Sequence, residues 1–87
     1  MKDIHAFIRA RPYLVWYTKN YNELSPDSIV EAVLNYGDWN DVKELERILG
    51  VEKVAEIFKR NSERKRSNYR EKTREFFSRY FRKYAHA

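Results

Sequence analysis

Between Ser25 and Gly50 the apolar positions keep a helical period twice over. Ile29, Val30, Val33 and Leu34 fall at i, i+1, i+4 and i+5, one face of a 3.6-residue repeat, while Asp27, Ser28, Glu31 and Asn35 point elsewhere. Trp39, Val42, Leu45 and Leu49 then recur every three or four residues. The punctuation agrees with the periods. Ser25 can accept from the first free amides of a helix, and Pro26 at its first position has no amide hydrogen to leave unpaired. Gly37 stands where a left-handed residue would close that helix, Asp38 is an N-cap for the next, and Gly50 closes the second. The stretch predicts a helical hairpin sharing one apolar seam.

The flanks extend the pattern. Ile4, Phe7 and Ile8 predict a short helix ending before Pro12, with Asp3 near its N-cap. The run Tyr13 to Tyr17 is too short for a period to decide, and with no strand to pair with it reads as helix. Thr18 to Leu24 reads as a polar loop. Val51, Val54, Ala55 and Phe58 predict a further helix ending at Asn61-Ser62. From about Ser67 a long helix is expected, on which Tyr69, Phe76, Phe77, Tyr80, Phe81 and Tyr84 form one aromatic stripe with Thr73. The expected core is Trp16, Ile29, Val33, Leu34, Trp39, Leu45, Leu49, Val54 and Phe58. The fold class that follows is all-α: one domain over residues 1–87, a compact bundle of four to five helices with a long basic aromatic C-terminal helix.

Charge sharpens this picture. The formal net charge of +5 is unevenly spread. Residues 1–58 hold 7 Lys+Arg against 10 Asp+Glu, a balance of −3, and residues 59–87 hold 11 against 3, a balance of +8. A basic last third concentrates anionic partners. Arg64, Lys65, Arg66, Arg70, Arg74, Arg79 and Arg82 are the candidate nucleic-acid contacts, with tyrosines to stack on bases. The competing reading packs the aromatic stripe on this chain's own core or on a partner. Tyr69, Phe76, Phe77, Tyr80, Phe81 and Tyr84 are then the candidate partner interface, toward another protein or a second copy of the chain.

The stretch LERILGVEKVAEIF also invites a helix-turn-helix reading, with Gly50 in the turn. Glu46 then stands where a small residue must let the helices approach, and Glu56 and Lys59 where apolar side chains are needed. It reads better as plain helix packing. With no cysteine and no long apolar run, the sequence offers no disulfide framework, thiolate metal site or membrane span, and the expected address is the cytoplasm. A 36% charged fraction without glutamine or cysteine is a thermophile-like composition. His5 and His86 are far apart and match no paired-histidine metal spacing, and no glycine-rich phosphate loop occurs. The sequence therefore nominates no catalytic residue, cofactor or metal ligand, and a non-enzyme is expected.

Val15-Trp16, Ile29-Val30-Glu31, Val33-Leu34, Gly37, Asp41, Leu45 and Gly50 give the span from Val15 to about Phe58 a resemblance to a small prokaryotic family. Its members are often encoded beside nucleotidyltransferase-type toxins of the AbiE class. The chain departs from that pattern at Tyr17, Ala32 and Leu49, where the family has aspartate, arginine and tyrosine. Asn68-Tyr69 corresponds to its later asparagine-aromatic pair. The resemblance implies an antitoxin-like accessory protein that binds and restrains a nucleotidyltransferase toxin or regulates their operon, and it brings no catalytic residues. The expected function is a small protein-interaction module, with nucleic-acid binding through the C-terminal helix as the alternative.

Overall fold

A computed structural model describes residues 4–63 and 68–85. Those residues form an all-α bundle: α1 (Ile4–Arg9), 3-10 turns at Pro12–Leu14 and Tyr21–Glu23, α2 (Pro26–Tyr36), α3 (Trp39–Leu49), α4 (Val51–Ser62) and α5 (Glu71–Tyr84). No strand occurs among them, and no helix among them is long and apolar enough to cross a membrane. Asp3, Arg64, Lys65, Arg66, Ser67 and His86, to which the sequence assigned a cap, a basic cluster, a helix start and a terminal histidine, lie outside the described residues.

The organising helix is α2, which packs against α3, α4, α5 and the Pro12–Leu14 turn. It buries Ile29, Val30, Ala32, Val33 and Leu34, more than one face, because neighbours cover it on several sides. Its start is the predicted one: the Ser28 amide donates to Ser25 Oγ at 3.1 Å, and Pro26 is the first helical residue.

Two helix ends share the work of the hairpin differently from the sequence expectation. Gly37 is extended (φ −76°, ψ 159°) rather than left-handed. One residue separates Tyr36 from the N-cap Asp38, and an extended glycine lets the chain pass straight into α3. A Cβ at Gly37 would sit 2.7 Å from the Val33 carbonyl oxygen and 3.0 Å from Asp41 Cβ, so the position requires glycine for space. Gly50 is the left-handed residue (φ 89°), ending α3 and starting α4 at once: its amide donates to the Glu46 carbonyl, and its own carbonyl accepts from Val54.

Asp38 and Asp41 form a reciprocal capping box. The Asp41 amide donates to Asp38 Oδ1 at 2.9 Å, and the Asp38 amide donates to Asp41 Oδ2 at 3.1 Å. Asp41, only 4% exposed, also accepts from Arg11 Nε at 2.8 Å and from the Tyr13 hydroxyl, which lies 2.9 Å from both carboxylate oxygens. Burial alone would raise the Asp41 pKa. These donors outweigh it and hold the carboxyl below its ordinary range. The network fastens the N-terminal segment to the first turn of α3.

Two core expectations fail, both at tryptophan. Trp16 is 65% exposed and Trp39 is 44% exposed. The run from Tyr13 to Tyr17 is no continuous helix; it holds a single 3-10 turn ending at Leu14, which sends Leu14 and Val15 fully inside and leaves Tyr13, Trp16 and Tyr17 outside. Trp39 is the first residue of α3, at the rim of the core. Leu49 is half-buried, and the other expected core residues are buried.

The last helix begins at Glu71 instead of Ser67, so Tyr69 precedes it. Asn35 of α2 controls this approach: its amide nitrogen donates to the Asn68 carbonyl at 3.2 Å, and its oxygen accepts from the Arg70 amide at 3.1 Å. Held on both sides, Tyr69 turns inward with its ring 5.0 Å from that of Phe58. Phe77 and Phe81 complete the same cluster, 6.2 and 5.4 Å from Phe58.

Candidate binding surfaces

The aromatic stripe expected as one interface divides at the bundle surface. Tyr69, Phe77 and Phe81 are each 6% exposed and belong to the core, which removes them from any interface of this fold. A helix turns about 100° per residue, so a stripe this wide presents one edge to the core and the other to solvent. Phe76 and Tyr84 are exposed and Tyr80 is half-buried. What the sequence reading missed is that the exposed edge gains rings from elsewhere in the chain.

Two ring clusters result. In the first, Trp16 meets Tyr17 edge to face at 5.8 Å and Tyr36 at 5.1 Å, and all three are about half to two-thirds exposed. The Arg70 guanidinium stands 6.0 Å from the centre of the Tyr36 ring. Burial and the field of Glu31 push the Tyr17 hydroxyl pKa up.

In the second cluster Trp39 of α3 meets Phe76 at 6.4 Å and Tyr80 at 5.3 Å, each nearly perpendicular. Phe76 and Tyr80 lie parallel 6.2 Å apart, and Tyr84 follows 5.0 Å beyond Tyr80. The Tyr80 hydroxyl donates to Glu46 Oε1 at 3.1 Å, and burial together with that bond pushes its pKa up to about 12. Glu46 is itself raised, by burial first, against the opposing pull of the Tyr80 hydroxyl and the Lys43 charge. Its other oxygen is buried without a hydrogen-bond partner among the described residues.

Cations surround this second cluster. At about 100° per residue, Lys72, Phe76, Arg79 and Lys83 fall within about 60° of one another on α5. Lys43 follows Trp39 by one turn on α3. All four cations are exposed and take part in no ion pair among the described residues, while Arg47, Lys53, Arg60 and Arg11 are paired with acids. The other described candidate arginines go elsewhere. Arg70 stands at Tyr36, Arg74 is turned about 160° from Phe76, and Arg82 lines an open groove of about 900 Å³ between α4 and α5 with Glu52, Glu56, Lys59 and Arg60. The described candidate arginines therefore share no single face.

The signal for the second cluster was present as the i, i+4, i+7, i+11 spacing of Lys72, Phe76, Arg79 and Lys83, without a sign that Trp39 would join it. Among the described residues, no group of three or more His, Asp or Glu side chains is placed to hold a metal ion.

The chain matches no family model, no curated protein and no solved structure. The resemblance to proteins encoded beside AbiE-type toxins thus rests on the residues that carry it in the sequence.

Proposed function

We propose that this chain is a non-catalytic protein-interaction module that docks its partner through the surface formed by Trp16, Tyr17 and Tyr36 with Arg70. The observation that carries this reading is the exposure of Trp16, 65%, in mutual contact with two further exposed rings. Tryptophan, tyrosine and arginine dominate the few residues that supply most binding energy at protein interfaces. Three large rings about half exposed leave roughly 300 Å² of ring surface in water, the scale of a functional patch on a small monomer. The Arg11–Asp41–Tyr13 network fixes the segment just before Trp16, so the surface is preorganised.

The resemblance supplies the class of partner, a nucleotidyltransferase-type toxin restrained by an antitoxin-like accessory protein. Affinity capture from the native host, with nuclease present, compares the wild-type chain with Trp16→Ala. A protein retained by the wild type and lost from the variant, with unchanged helix content, is the expected result. Capture of the same proteins by both would overturn the assignment of this surface.

A further inference from the structure

We infer that the second cluster is a binding site for a single strand of nucleic acid, with bases stacked on Trp39 and Phe76 and phosphates held by Lys43, Lys72, Arg79 and Lys83. This site is separate from the protein-docking surface and does not depend on it.

Three observations converge. Trp39 and Phe76 are 44% and 53% exposed, so each ring keeps area free for a base. None of the four neighbouring cations forms an ion pair among the described residues, and although Lys43 acts on Glu46 and Glu75 lies one turn from Lys72 and Arg79 on α5, the four cations outnumber these two acids. Of these acids, Glu46 is partly withdrawn by burial, which favours its uncharged form, and its Oε1 is occupied by the Tyr80 hydroxyl.

The composition separates this site from a protein interface. Protein-binding patches are depleted in lysine, whereas three of these four cations are lysines. Strand-binding surfaces pair lysine and arginine with aromatic faces, because every base offers a ring and every nucleotide a phosphate. A duplex hides its base faces within its own stack, so the exposed rings find their match only in an unpaired strand. At about 1.5 Å rise per residue, Lys72 to Lys83 spans about 17 Å, the length of roughly five stacked nucleotides at about 3.4 Å each.

The test is fluorescence anisotropy of a short labelled single-stranded RNA of mixed sequence titrated with the full chain, repeated with Trp39→Ala, with the Lys72→Ala/Arg79→Ala/Lys83→Ala triple variant and with Trp16→Ala. The strand should bind with quenching of tryptophan emission. Four phosphate contacts should give a log–log salt slope of about −3. Trp39→Ala should weaken binding about tenfold or more through lost stacking. The triple variant, whose changes lie on an exposed helix face and leave the core intact, should flatten the salt slope toward −1. Trp16→Ala should bind as the wild type does, which separates this site from the protein-docking surface. Polyglutamate, an anion without rings, should compete poorly. Absence of RNA binding at about 50 mM salt, an unchanged triple variant, or equal competition by polyglutamate would each overturn the assignment; the last would point to an acidic protein segment instead.

Discussion

Arg11 and Asp41, 30 residues apart in the chain, meet with Nε 2.8 Å from Oδ1 in a site where the carboxylate is all but excluded from water. The pair closes the N-terminal segment onto α3, and the Tyr13 hydroxyl and Asp38 amide complete the set of donors. Asp41→Ala removes the N3 half of a capping box and leaves Arg11 partly buried without its anion. A loss of about 2–4 kcal/mol is expected in chemical denaturation. A change below about 0.5 kcal/mol would show that the network contributes little.

The same carboxylate predicts an acid limb. Asp41 has a folded-state pKa below its unfolded one, so its contribution is present above about pH 4 and is lost as pH falls through the lowered folded value. Asp41→Asn should be less stable than the wild type at pH 7, and its stability should fall less between pH 5 and pH 2. Parallel wild-type and variant curves over that range would refute the assignment.

Glu46 carries the opposite sign. Its folded pKa is raised above the ordinary value of 4.5, chiefly by burial, so the folded state holds its proton more tightly than the unfolded chain. Its favourable contribution is present at pH below 4.5 and is lost as pH rises through the folded value. Glu46→Gln keeps an acceptor for the Tyr80 hydroxyl without the buried charge. Relative to the wild type at the same pH, its melting temperature should rise between pH 4 and pH 7; a difference that stays constant or falls over that range would be incompatible with this environment.

The two glycines fail for different reasons when substituted. At Gly50 a Cβ would meet nothing within 4 Å, and Gly50→Ala costs only the left-handed backbone, about 1–2 kcal/mol. At Gly37 the backbone suits any residue and the space does not, since the Val33 carbonyl and Asp41 Cβ belong to packed helices. Gly37→Val should cost at least as much as Gly50→Ala and should also disturb the Asp38–Asp41 cap. Thermal melts of the two variants, with the amide shifts of Asp38 and Asp41, distinguish the cases.

Neighbouring rings on α5 should respond in contrast. Phe81→Ala empties a site among Phe58, Phe77 and the Tyr69 cluster and should cost about 3–5 kcal/mol. Phe76→Ala, at 53% exposure, should cost less than about 1 kcal/mol. Urea denaturation of both variants measures the difference directly.

How these rings divide shows where sequence reading stops. The period of α2 and α3, the Ser25 and Asp38 caps and the Gly50 terminus were legible because each depends on residues within a few positions of one another. Tyr69, Phe77, Phe81, Phe76 and Tyr84 look alike in a one-dimensional stripe, and only the position of α4 and α2 against α5 decides which are covered. Asn35 made Tyr69 a core residue from across the fold, which no local spacing announces.

The sequence by itself determined an all-α bundle, its helix boundaries near Ser25, Asp38 and Gly50, and a basic C-terminal third, because periodicity, capping and charge are local properties of the chain. Only the tertiary structure decided that Gly37 is extended, that both tryptophans stand outside, and that Trp39 joins Phe76 beside the cations of α3 and α5. Those outcomes depend on which helix covers which face, and packing of segments distant in sequence fixes that.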